Sequence, residues 1–457
     1  MSPTPTAPDD VPWRIRHPNQ TTIAGYANTT SVAPGQPVTL FVSTRAPSFR
    51  VAVFRMGWYA GTKGSLVERS PTIAGHVQAR AAVHGATHTV VAPWRAPTRL
   101  STTRWPAGDY LLRLDASTGA QSFVPLTVRG PTARGKVVLV SPVTTWQAYN
   151  LWGCCSLYAG ANGSFATRSR AVSFDRPYKA EDGAGEFIER ELPVLAQAER
   201  LGLHLDYLTS IDVDLHPHVL DGAAAVISMG HDEYWSSTMR SAVTRVRDAG
   251  TNLAFLGANA MFRHIRFAPS RNGPDRIEID YKIATEDPYY GHHNSLVTSD
   301  WPAPPDPRPE SAVVGASYNC FTRTKSAAVV VEPSSPLFRG TGVRAGTRLA
   351  QLIGPETDHV VRGSFQPRPV EILMHSPFPC PGGRVPADAT YYTVRSGAGV
   401  FDTGTMSWVC ALGGTCSKPA TTAVVRRVTN NLLQLFAAGP AGRTMPAKDN
   451  VARIVRH

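Results

Sequence analysis

Three apolar runs set the first constraint on this chain: "KVVLVSP" (136–142), "GAAAVISMG" (222–230) and "TNLAFLGAN" (251–259). None alternates with polar residues, which is the mark of a strand buried on both faces. Between them, "AGEFIERELPVLAQAERLG" (184–202) and "SSTMRSAVTRVRDAG" (236–250) carry helical spacing. The first places Phe187, Leu192 and Leu195 on one side, and the second opens on a Ser cap and closes at Gly250. "LHLDYLTS" (203–210) reads as a further strand. Alternating strands and helices predict an α/β unit, a mostly parallel sheet flanked by helices. Sites in such sheets gather at the carboxyl ends of the strands. "TTWQAYN", "GHDEYWS" and "GANAMF" each follow an apolar run directly, so three loops converge on one edge.

The region before 131 has a different period. "SVAPGQPVTLFVST", "FRVAVFRMGWY" and "WPAGDYLLRLDASTGAQSFVPLTV" alternate apolar and polar residues around Pro-Gly and Ser-Thr-Gly turns. Residues 13–130 are therefore expected to form an immunoglobulin-like antiparallel β-sandwich. Residues 1–12 read as a flexible leader, 129–135 as a short hinge, and 131–457 as the α/β domain. After 270 the chain turns Pro- and Gly-rich, with short strands such as "VEILMHS" and "GVFDTG". The closing "TTAVVRRVTNNLLQLFAAG" is an amphipathic helix.

At 457 residues, 42% hydrophobic and 18% charged, the chain has the composition of a folded protein. The net charge of +12 is spread thinly, so no nucleic-acid module is expected. No apolar run approaches the ~18 residues needed to span a membrane. The Pro/Thr-rich opening "MSPTPTAPDD" resembles the spacer behind a removed export signal, which favours an exported protein. Six cysteines contain no C-x-x-C. Cys410 and Cys416 flank a Gly-containing turn that a disulfide could close, whereas Cys154 and Cys155 are expected to reach distant partners rather than each other, because bridging neighbours strains the geometry.

Read in order, "GWYAG", "TTWQAYNLWGCCSLY", "SFDRPY", "GHDEYWS", "LGAN" and "SGAGVFDTGTMSW" resemble the large-subunit family of N,N-dimethylformamidase, in its C-terminal catalytic region, over roughly 136–437. The resemblance implies a mononuclear Fe(III) held by two tyrosines and a glutamate, here Tyr149, Tyr158 and Glu233. It also places His231, Asn259 and Glu356 around the substrate as oxyanion donor, amide-orienting group and water-activating carboxylate. The implied activity is hydrolysis of a small amide, with self-association left open. Hard anionic oxygens suit a hard trivalent cation. A free phenol ionises near pH 10, so only a strongly charged ion would hold two as phenolates at neutral pH.

Each assignment has a plainer reading. Tyrosines set among Trp146, Trp152 and Leu157 are ordinarily core aromatics, and a glutamate before a helix is ordinarily a charge favoured by the dipole. Glu356 in "LIGPETD" is equally a surface residue. Three other functions compete. A glutamine amidotransferase-like sheet could carry a thiol nucleophile, with Cys154 as the candidate. His231, Glu233, His292 and His293 could bind zinc or ferrous iron. An exported glycan-binding or cell-surface protein with a non-catalytic α/β domain would present Trp58, Tyr59 and Trp94 as exposed aromatics.

Overall fold

The computed structural model describes residues 12–179, 182–363 and 365–455. The expected leader at 1–12 therefore lies almost wholly outside the described residues.

Residues 23–128 form two facing sheets. One joins Ile23–Ala27, Val38–Thr44 and Thr98–Leu100. The other runs Ser31–Val32, Gln121–Val128, Gly108–Ala116, Ser48–Met56 and Gly64–Arg69, with Ile73–Ala74 beside Ser48–Met56. All pairings are antiparallel except that of Ser31–Val32 with Gln121–Val128. Strand Ser48–Met56 is apolar on both sides for a reason. Val51 and Val53 enter the interior between the two sheets, while Ala52, Phe54 and Met56 face the other way, into the core of the rest of the chain.

That second core is built on a seven-stranded sheet of order Leu205–Thr209, Val137–Ser141, Ala225–Ser228, Asn252–Phe255, Gly399–Asp402, Asp388–Thr393, Val370–His375. The first five strands pair in parallel and the last two antiparallel. Alternate residues divide between its faces. Val137 and Leu139 pack with Leu195 and Leu432, and Val138 and Val140 pack with Met239 and Val243. The helices concerned are Leu192–Arg200, Ser237–Asp248 and Pro419–Ala437.

The expectation of a mostly parallel sheet flanked by helices does not describe this chain. It is mostly β, 32% strand against 20% helix, and spread over many small sheets that are mixed or antiparallel. A four-stranded mixed sheet joins Ala171–Ser173, Gly273–Ile279, Arg263–Ser270 and Tyr234–Ser236, and four hairpin-like pairs complete the set. The β–α alternation of 136–260 does not extend beyond it, because the Pro- and Gly-rich sequence after 270 supports short antiparallel strands instead.

Cys320 pairs with Cys380, Cys410 with Cys416, and Cys154 with Cys155. The neighbours were expected to reach distant partners, but the other four cysteines are committed to each other and leave them only one another. No thiol is free, which removes a Cys154 nucleophile in this oxidised form. The glycan-face expectation also fails on exposure. Trp94 is 3% exposed and packs edge-on against Trp152, and Trp58 and Tyr59 are half-buried. Their "GWYAG" turn lies on the helix Leu192–Arg200, where the Trp58 N–H donates to Glu199 (2.8 Å). A side chain at Gly57 would collide with that carboxylate.

Candidate functional site

The fully buried strand Val137–Ser141 passes through Pro142 into the short helix Val143–Tyr149, so Tyr149 stands at the end of about two turns of helix above the sheet edge. Asn150 leaves helical geometry and anchors the loop beyond it. Its side chain donates to the Pro177 carbonyl (2.9 Å) and accepts from the Trp152 and Lys179 amides (3.0 Å each). The loop then folds around the guanidinium of Arg176, which donates to the carbonyls of Asn150 (3.0 Å), Trp152 (3.1 Å) and Cys155 (2.9 Å). This buried arginine makes no ion pair with any described residue, and burial pushes it down to about 9. The result is to bring Tyr158 back against Tyr149, rings stacked at 4.4 Å.

Glu233 arrives from the third strand of the sheet. Its N–H donates to Thr145 Oγ1 (3.0 Å) and its carbonyl accepts from the Arg263 N–H (2.8 Å), so both flanking elements fix its backbone. The side chain is 1% exposed. Tyr149 Oη lies 2.7 Å from Tyr158 Oη and 2.7 Å from Glu233 Oε2, and Tyr158 Oη is 3.0 Å from Glu233 Oε1. The structure thus brings the three expected donors together from separate loops. Donors on one face of an octahedron stand about 2.9 Å apart when metal–oxygen distances are about 2.0–2.1 Å. The three oxygens fit a small hard cation in spacing and in chemistry.

Burial lifts both phenols well above 10, and the neighbouring Glu233 charge adds to it. With no cation they stay neutral and donate to the carboxylate. Burial works against the charge of Glu233, yet His231, Lys282 and Arg263 outweigh it and hold the group down at about 2. Among the described residues no group of three His, Cys, Asp or Glu side chains is disposed to hold a metal. His292 and His293 lie exposed in a surface loop, which leaves the histidine-ligand reading without its donors.

The other three expected residues stand alongside. His231 Nε2 is 3.5 Å from both Glu233 Oε2 and Glu356 Oε2, and its Nδ1 is 3.2 Å from Glu186 Oε2. Burial opposes protonation, but Glu186, Glu233 and Glu356 raise it well above its ordinary value. Glu356 is 6% exposed, on the strand Glu356–His359, not at the surface. Burial pushes it up to about 7, opposed by His231 and reinforced by Glu233. Asn259 sits in the left-handed region (φ 59°), its N–H donating to Asp358 (2.8 Å), and its Oδ1 is buried without a partner.

Four residues of the arrangement went unassigned from sequence. Tyr234 donates to Tyr158 Oη (2.6 Å), Lys282 donates to Tyr234 Oη (2.6 Å) and covers the Tyr158 ring at 3.8 Å, and Arg263 donates to Glu233 (3.3 Å). Arg176 is the fourth. Tyr234 and Arg176 fall inside "GHDEYWS" and "SFDRPY" and were within reach. Lys282 and Arg263 belong to strands and turns with no distinguishing pattern.

A model of the family described as N,N-dimethylformamidase beta subunit-like, C-terminal matches residues 50–421. The chain belongs to that family. The match begins inside the strand Ser48–Met56 and ends in the helix Pro419–Ala437, so it takes in more of the front sheets than the resemblance over 136–437 implied. Within this N,N-dimethylformamidase beta subunit-like region lie all six residues assigned above. No curated protein matches the chain. Among solved structures it is similar to a cycloisomaltooligosaccharide glucanotransferase of Paenibacillus sp. complexed with cycloisomaltoheptaose, 15% identical over 26% of this chain and 15% of that one, with a TM-score of 0.16. The chain spans a small part of that enzyme, and so slight a likeness carries no argument. No helix among the described residues is long and apolar enough to cross a membrane.

Proposed function

We propose that this chain hydrolyses small amides at a mononuclear ferric site whose ligands are Tyr149, Tyr158 and Glu233. The observation that carries the reading is the meeting of three oxygen donors, 2.7–3.0 Å apart, at the end of the sheet. Three anions balance a trivalent charge, and a ferric ion bound there supplies Lewis acidity toward a carbonyl oxygen.

The surrounding residues do the proton work. Glu356, near 7, exchanges a proton at neutral pH and is suited to take one from the attacking water. His231, cationic between carboxylates, offers an N–H to oxygen charge that develops in the reaction. Asn259 presents an unpaired buried Oδ1 that orients the substrate through an N–H. Lys282, through Tyr234, favours the ionised form of Tyr158. Disulfides accord with an exported protein.

Purified without added metal, the protein is expected to hold one iron per chain and to show a visible ferric–phenolate band. Tyr149→Phe is expected to lose both. A colourless, iron-free protein of undiminished stability would falsify the reading.

A further inference from the structure

A pocket of about 250 Å³ opens beside Tyr149 and is walled by Trp146, Tyr149 and Tyr178. This is close to the lower bound of small-molecule sites, ~300 Å³. Trp146 and Tyr178 meet edge-to-face at 5.7 Å, and the Trp146 indole is fixed by its bond to Glu191 (2.7 Å). Among the described residues one carboxylate lines the same pocket. Glu186 gives Oε2 to His231 Nδ1, and its side chain is 26% exposed. Lys179 at the rim is exposed, so its charge is solvated. Aromatic walls beside the partly exposed Glu186 carboxylate, which shares its charge with His231, form an environment for an organic cation, attracted to ring faces and to the carboxylate at once.

We infer that this pocket receives the amine half of the substrate and retains it as an alkylammonium ion, with Glu186 and the rings of Trp146, Tyr149 and Tyr178 as its recognition groups. The inference rests on the amidase reading and extends it to a substrate class. Hydrolysis of a secondary amide, whose N–H meets Asn259, balances as RC(O)NHR′ + H₂O → RCOO⁻ + R′NH₃⁺, so one product carries the charge this pocket is suited to hold. The preferred substrates are then amides of alkylamines with substituents larger than methyl, rather than primary amides.

Calorimetric titration of the whole chain with choline, and with its neutral isostere 3,3-dimethylbutan-1-ol, tests this. Choline is expected to bind about tenfold more tightly than the isostere. Glu186→Gln is expected to erase most of that preference, and Tyr178→Leu to weaken both ligands. Equal affinity for the two, no binding, or a preference unchanged in Glu186→Gln overturns the assignment. Iron content and amide turnover are read on the same samples. Turnover without charge preference defeats the pocket alone, whereas charge preference in an iron-free, inactive chain defeats the amidase reading and leaves the ammonium site standing.

Discussion

Arg176 shows how much one side chain can organise. It supplies donors to three carbonyls of the loop that carries Tyr158, and it makes no ion pair with any described residue, although the buried Glu278 acts on it through space. Arg176→Met leaves three buried acceptors unsatisfied, at about 1–3 kcal/mol each. The expected loss of several kcal/mol, read from urea unfolding, should come with loss of any bound iron. A variant with normal stability would show that water replaces the guanidinium without penalty. His375 makes a pH-dependent case away from the site. Its Nδ1 is 2.7 Å from Asp388 Oδ1, and that hydrogen bond lifts its affinity for a proton against the effect of burial. A folded value above the unfolded ~6.5 means stabilisation that is full below 6.5 and fades as pH rises through the folded value. Thermal unfolding of wild type and His375→Gln should therefore differ most at acidic pH and converge on the alkaline side. The opposite trend would contradict the assignment. At this scale motif order drew attention to Tyr149, Tyr158 and Glu233, which the structure brings together. Lys282 was not legible, since a lone lysine in "DYKIATED" looks like any solvated one until its burial beneath two tyrosines is seen.

At the scale of elements, the strands buried on both faces could be read directly. "KVVLVSP" became Val137–Ser141 and "TNLAFLGAN" contained Asn252–Phe255. The hairpin Arg263–Ser270 and Gly273–Ile279 could not, because its arginines are paired inside the structure rather than solvated. Arg266 holds Asp287, and Arg276 holds Asp175, so charge alternates where apolar period was sought. The C-terminal helix Pro419–Ala437 was legible because Val425, Val428, Leu432 and Phe436 repeat at helical spacing and are all buried. Leu432→Ala should cost about 2–5 kcal/mol, measured by chemical denaturation. A value under ~1 kcal/mol would mean that the helix is peripheral to the fold.

For the whole molecule, the important fact is that its front sheets enclose one core of their own and share a second with the rest of the chain. Trp13, Phe54, Met56, Leu111 and Phe123 are in one contiguous apolar cluster with Val137, Leu139, Trp146 and Leu195. Arg55 spans the same boundary to Glu199 (2.8 Å) and Tyr207 (3.2 Å). Heating should give one cooperative transition, and Phe54→Ala should lower it as a unit, by about 3–5 kcal/mol. Two separately moving calorimetric peaks would refute this. The composition of "RGPTARG" suggests a hinge at 129–135, but hydrophobic periodicity cannot say that a strand's second apolar face is turned toward a different part of the chain. Anyone seeking a miniature catalyst would meet the same fact from the engineering side. Excising the first hundred-odd residues would strip the wall from behind Trp146, so the front sheets are better treated as scaffolding to be redesigned in place than as a detachable ornament.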